Sequence, residues 1–437
     1  MPARRNTPDV WPPFVVAAVG LAISAGFGLG GALFISTRLG LASGPWWPAA
    51  AQAHGHVQLF GWAGLMVLGV GLHFLPRLRG APLAQPRLAP AICWLFVAAL
   101  VVRALGQPLL AARALPVFAG WPLLVGAALL ELGGGSLALG LLAWTLRRGP
   151  SIRDRAGLRA VLPFLLIAFS GFWLALAVNV AGALVTATRG LALVDGAYDT
   201  LTVELAFRLF LIPISVAMSA RIFPLYFRTP LPRNGLLRAG LGALLAGEAL
   251  DVAGSLGGWP AIAGGGDVLL AAALVAFIIG MGIFARRLPL PRQPVRVFTD
   301  PQQWHALTAY GWLAVAALLL AGNGLGALGL PGLITTPDAE RHALGAGFVT
   351  VLIVGVGAHL LPGFTRRPLR SRALLWATAV VGNAAALCRV VPVVFTSALP
   401  GTLATTLAAL SGLLGVATVA IFAVNVTGRS RSSPPAR

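Results

Sequence analysis

Apolar residues run along this chain in long blocks, and short stretches rich in arginine, proline and glycine separate them. A helix needs about 20 such residues to cross the hydrocarbon core of a bilayer. By that ruler the pattern predicts twelve spans, at roughly 14–36, 55–75, 89–107, 116–146, 160–187, 201–223, 236–256, 267–285, 305–329, 342–363, 373–396 and 402–427. Gly133, Gly134 and Gly135 predict a tilt or a break inside the fourth span. The expected fold is an all-α integral membrane bundle of about 12 transmembrane helices, with residues 1–437 forming a single transmembrane domain.

The polar positions orient these spans, because cytoplasmic loops collect basic residues. Arg4 and Arg5 precede the first span, and the loops after even-numbered spans hold Arg77, Arg79 and Arg87; Arg147, Arg148, Arg153, Arg155 and Arg159; Arg228 and Arg233; Arg286, Arg287, Arg292 and Arg296; and Arg366, Arg367, Arg370 and Arg372. The odd-numbered loops hold Trp46, Trp47, Asp195, Asp199, Trp259, Asp338 and Glu340 instead. Both termini are therefore expected in the cytoplasm, in a multi-pass protein of the cytoplasmic membrane. The first apolar run reads as a span and not as a cleaved leader, since an even count of helices needs it.

Composition changes this picture little. Hydrophobic residues make up 58%, charged residues 10%, and the mean hydropathy of +0.86 excludes an ordinary soluble domain. All 32 basic residues are arginine against 12 acidic ones, a net +20 that in a soluble chain would suggest nucleic acid. Here they sit between apolar runs and face anionic lipid, so no nucleic-acid partner is expected. Cys93 and Cys388 lie inside apolar segments without a C-x-x-C pair and read as structural thiols.

The chain also repeats itself. Gly69-Val70-Gly71-Leu72-His73-Phe74-Leu75-Pro76 returns as Gly355-Val356-Gly357-Ala358-His359-Leu360-Leu361-Pro362, at an offset of 286 that also carries His56 onto His342 and Gly61 onto Gly347. A weaker copy at offset 148 aligns Arg221-Ile222-Phe223-Pro224 with His73 to Pro76 and puts Glu204 in the place of His56. Spans 2, 6 and 10 are thus equivalent, which predicts three four-helix repeats over roughly 14–146, 160–285 and 305–427.

Five of the six histidines lie on spans 2 and 10. His54 and His56 fall at the outer end of one, His342 at the outer end of the other. Two imidazoles from a helix pair are what a six-coordinate haem iron requires, while wetted histidines at the membrane surface are the plainer reading. His73 and His359 lie 17 residues further along, about 25 Å of helix, so one haem cannot use both layers. With His305 they form a cytoplasmic set suited to a second haem or copper, or to headgroup contact. Glu204 and Arg208 stand at i, i+4 and read first as an ion pair. Arg221 on the same span is a further costly charge, and Arg341 beside His342 is suited to haem propionates or to snorkelling.

Ala53-His54-Gly55-His56-Val57-Gln58-Leu59-Phe60-Gly61-Trp62 resembles the H-x-H…F-G motif of the NnrS family, multi-span haem- and copper-containing proteins linked to nitric oxide stress. It is also similar to the A-H-G segment of haem–copper oxidases, whose threefold twelve-helix core the repeats resemble. The resemblance implies haem b held by His56 and His342, with His54 as the competing ligand. The oxidases need copper-ligating histidines on helices 6 and 7, and this chain has none there, so oxygen reduction is not expected. The expected function is a membrane haem protein handling nitric oxide or electrons, a nitric oxide-related oxidoreductase if it turns over. Quinol or a soluble redox carrier, a small gaseous ligand, membrane lipid and further copies of the chain are the partners in view. The alternative is a transporter of a small ion or metal that uses the histidines without haem.

Overall fold

The computed structural model of the chain describes residues 9–288, 297–332 and 335–427; Arg4, Arg5, Arg292 and Arg296 lie outside them. Among the described residues there are long helical runs and no strand. They are α1 (Pro12–Arg38), α2 (Trp46–Arg79), α3 (Pro86–Ala111), α4 (Val117–Arg148), α5 (Ala156–Thr188), α6 (Gly196–Tyr226), α7 (Asn234–Gly257), α8 (Pro260–Met281), α9 (Pro301–Ala327), α10 (Pro337–Thr365), α11 (Arg372–Val394) and α12 (Gly401–Thr427). Proline in the first turn opens α1, α3, α8, α9 and α10, where its missing N–H is no loss. Side chains of Asp195, Asp300 and Ser371 cap the starts of α6, α9 and α11.

Eleven of these helices are long and apolar enough to cross a membrane, one fewer than the sequence pattern predicts. The difference is α7. Its 24 residues include Arg238, Glu248 and Asp251, and each charge at mid-helix adds about 2.5–3.5 kcal/mol to insertion. The glycine triplet does not break the fourth span: α4 runs unbroken for 32 residues. A Cβ on Gly134 would stand 3.0 Å from Phe96 and one on Gly135 2.5 Å from Leu176, so these glycines let α4 close on α3 and α5.

The helices fall into inner and outer ones. The most apolar stretch is 78% buried in α2 and α10, 67% in α6 and 61% in α9, against 39–44% in the other seven spans. Trp94, Leu105, Phe118, Leu166 and Trp173 on outer helices are exposed large side chains that meet lipid. α2, α6 and α10 share three backbone features. Each holds a π-helical stretch, Val57–Gly64, Ala206–Leu211 and Ala343–Val349, the first and last separated by 286 and the middle one within a residue of the 148 offset. Each has an internal proline, Pro76, Pro224 and Pro362. Left-handed residues follow at Gly80 (φ 75°), Arg228 (φ 55°) and Arg366 (φ 55°), again at both offsets.

By contacts the chain divides after Ala217 into two compact units. In the first, Phe60, Phe96 and Phe210 surround Phe172 at ring-centre distances of 6.0, 5.9 and 4.7 Å. In the second, Tyr310 packs edge-on to Phe223 and Phe348 at 5.8 and 5.6 Å.

Candidate functional site

His54 and His56 are two residues apart on α2, a turn of about 200°, so they face opposite sides of the helix. His54 faces α1, where its Nδ1–H donates to the Gly26 carbonyl at 2.9 Å. Gly26 ends the π-helical stretch Ala22–Gly26 of α1. The imidazole lies against Gly30, where a Cβ would stand 2.6 Å from Cε1, so this ring position requires glycine.

His56 faces α4 and is 3% exposed. Its Nε2 is 2.6 Å from Oε2 of Glu131, which is fully buried. Phe60 covers the imidazole at a ring-centre distance of 4.5 Å. The polar contacts continue through buried Asn179 of α5, whose Nδ2 donates to Glu131 Oε2 at 3.4 Å. Arg103 of α3 donates through Nη1 to Asn179 Oδ1, and its Nη2 is 3.9 Å from Asp199 Oδ1, on a side chain 20% exposed. One turn from His56 and Arg103, Gln107 donates to Gln52 Oε1 at 2.7 Å, and Gln52 exchanges hydrogen bonds with the main chain of Val194 at 2.9 and 3.1 Å. Arg103 Nε, Gln107 Oε1 and Glu131 Oε1 are buried with no hydrogen-bond partner among the described residues.

In the second unit, His342 sits in the first turns of α10, directly before its π stretch. Its Nδ1–H donates to the Asp338 carbonyl at 2.8 Å, with Asp338 Oδ1 at 3.2 Å. Asp338 is fixed in turn by Arg389 of α11, Nη2 to Oδ2 at 2.7 Å. His342 and His54 therefore carry the ring proton on Nδ1, which puts the lone pair on Nε2.

The expected cytoplasmic set is placed as follows. His305 is buried, its Nδ1–H donates to the Pro301 carbonyl at 2.7 Å and its Nε2 is 3.1 Å from Thr378 Oγ1, so both nitrogens are engaged. His359 has Nδ1 3.4 Å from Gln302 Oε1 and packs at a tilt against Tyr226, ring centres 4.0 Å apart. His73 is buried with Nδ1 3.6 Å from Asp9 and Trp11 edge-on. Among the described residues no group of three or more His, Cys, Asp or Glu is arranged to hold a metal ion. Glu204 Oε2 and Arg208 Nη1 are 3.9 Å apart at i, i+4, as an ion pair would be. Arg221 is half-buried on α6, and Arg341 precedes His342 on α10.

Glu131 is the buried carboxylate beside His56 that pattern reading passes over. It is a single carboxylate inside a 32-residue apolar helix, and an ionisable group in a span is by itself a signal. Its partner His56 is 75 residues away in the chain.

No curated protein matches this chain. The match to a family model begins after His54, His56 and His73 and covers the segment with His305, His342 and His359. That model is the NnrS protein, it matches residues 106–428, well over half of the chain, and the chain belongs to the NnrS family.

Proposed function

We propose that this multi-pass membrane protein binds haem b, for which His342 and His54 are the candidate imidazole ligands, and that it handles nitric oxide or electrons in the cytoplasmic membrane. The observation that carries the reading is the shared state of these two rings. Each donates Nδ1–H to a main-chain carbonyl, the arrangement that fixes a metal-ligating imidazole with Nε2 as the donor atom; His305 shares it, but its Nε2 meets Thr378. Membership of the NnrS family supports haem and a link to nitric oxide. Recurrence of the π stretch, the proline and the left-handed residue at offsets of 148 and 286 supports the threefold repeat and with it the likeness to an oxidase core. Bound haem would supply an iron that changes oxidation state and takes a gaseous ligand where an axial position opens. The donor would be quinol or a soluble carrier.

His56 is the second reading for the α2 ligand. The offset that aligns it with His342 favours it, whereas its Nε2 is held by Glu131. A reduced-minus-oxidised spectrum of detergent-purified protein, with haem measured per chain, decides between them. A Soret and a sharp α-band lost in His342→Ala and His54→Ala, but kept in His56→Ala, is the expected result; the reverse for the two α2 histidines selects His56. No haem in protein made with ample haem overturns the proposal and leaves a transporter of a small ion or metal.

A further inference from the structure

Leu158, Leu162, Leu165 and Phe169 of α5 recur at intervals of four, three and four residues, so they share one face of that helix. With Leu139 and Leu142 of α4 and the end of α2 they line a cavity of about 200 Å³. Leu158 to Phe169 spans about 17 Å of helix, close to one leaflet of a hydrocarbon core about 30 Å thick. The cavity opens to lipid beside Leu166, which lines it and is 55% exposed. It is narrower than the roughly 300–1,000 Å³ of an ordinary ligand pocket and has the dimensions of a single hydrocarbon chain. At one end Arg79 and Thr145 line it with their polar atoms engaged. Arg79 donates to the main-chain carbonyls of Leu146, Gly149 and Pro150, while Thr145 Oγ1 donates to the Leu141 carbonyl and accepts from the Ala84 N–H. That end therefore favours an apolar occupant over a polar ring, which would be desolvated there without a partner.

Positive charge gathers at the same end. Arg155 immediately precedes α5 and stands three residues before Leu158, so it continues the leucine face by one turn. Its guanidinium lies against Gly80, where a Cβ would collide with it, next in the chain to Arg79. Residues 147–159, which carry the chain from α4 into α5, hold five arginines against one acidic residue, Asp154. An apolar slot of one leaflet's depth with a cationic rim is complementary to a molecule that joins a hydrocarbon chain to a phosphate.

We propose that this cavity between α2, α4 and α5 seats one acyl chain of an anionic phospholipid whose phosphate is held at Arg155. The lipid comes from the leaflet on the side that the arginine pattern assigns to the cytoplasm. Its chain replaces bilayer contacts with the leucine walls, and the arginine rim selects its charge. The site stands whether or not His54 and His342 hold haem.

The test titrates delipidated full-length protein in detergent with phosphatidylglycerol and, separately, with phosphatidylcholine of the same chains, and counts bound lipids per chain by native mass spectrometry. The first phosphatidylglycerol should bind more tightly than the first phosphatidylcholine. Arg155→Gln should weaken phosphatidylglycerol about fivefold, the share of one arginine at an anionic headgroup, and leave phosphatidylcholine unchanged, while Arg155→Lys keeps the preference. Ala143→Phe, which puts a ring into the cavity from α4, should weaken both lipids, whereas Leu105→Phe on the exposed face of α3 should weaken neither. Equal binding of the two lipids, or a preference that survives Arg155→Gln, overturns the proposal, and so does Ala143→Phe with unaltered binding. Should Ala143→Phe fail to fold, Arg155→Gln at the half-exposed start of α5 carries the test. Lipid is counted in protein with or without haem, so a spectrum lacking haem would sink the functional reading and leave this one standing.

Discussion

Gly30→Ala isolates the contact that holds the His54 ring. A Cβ there would stand 2.6 Å from Cε1, and ordinary contact begins at 3.4 Å, so the ring has to move by about 0.8 Å. The hydrogen bond from Nδ1 to the Gly26 carbonyl is 2.9 Å long, and such bonds extend to about 3.2 Å before weakening. The slack of about 0.3 Å is smaller than the displacement, so the bond breaks. A part-buried hydrogen bond lost in this way is worth about 1–2 kcal/mol, while replacing glycine by alanine inside a helix returns up to about 1 kcal/mol. The control is Gly20→Ala on the same helix, where nothing lies within 4 Å of the added methyl. Gly30→Ala should therefore unfold in detergent with a stability about 1–2 kcal/mol below that of Gly20→Ala, and its haem α-band should broaden or shift while that of Gly20→Ala stays put. Equal stabilities together with identical spectra would refute both the tether and the role given to His54.

Three further outcomes follow from the same geometry. Arg366 ends α10 with φ 55°, a conformation that costs a non-glycine residue about 1–2 kcal/mol; Arg366→Gly should raise the unfolding midpoint, and Gly80→Ala at the equivalent end of α2 should lower it. Asp338→Asn removes the charge between Arg389 and His342; as the carboxylate is 38% exposed, solvent screening limits the loss to about 1 kcal/mol, but haem content should fall if that contact orients His342. Gly266→Ala places a Cβ 2.6 Å from the Asp251 backbone nitrogen, a contact no rotamer can relieve, and should cost about 3 kcal/mol or more in a denaturant titration.

The spans were legible because bilayer thickness acts on composition alone, and the arginine loops and the offset of 286 needed only counting. α7 stands apart from the eleven clear spans because its apolar average hides Glu248 and Asp251, which three-residue spacing brings to one buried face. Gly134 and Gly135 pack α4 and do not break it; glycine both breaks helices and lets them touch, and only Phe96 and Leu176 across the interface decide which. The offset pairs His56 with His342, yet the hydrogen bonds that distinguish His54 from His56 reach Gly26 and Glu131 on two other helices. No local pattern encodes those partners.

The π stretch of α2 bears on how this chain tolerates gain and loss of residues. On an uninterrupted helix the 17 residues from His56 to His73 leave the two side chains about 100° apart. A π turn takes up about one extra residue without advancing the phase, so the separation becomes about 160°. Deleting one residue within Val57–Gly64 would then yield a regular helix with both histidines on their present faces. The same deletion between Leu65 and Leu72 would swing His73 by about 100°. Alignments of α2, α6 and α10 with helices lacking the stretch need a one-residue gap there, and single-residue deletion scanning would read out where each helix stores its spare residue.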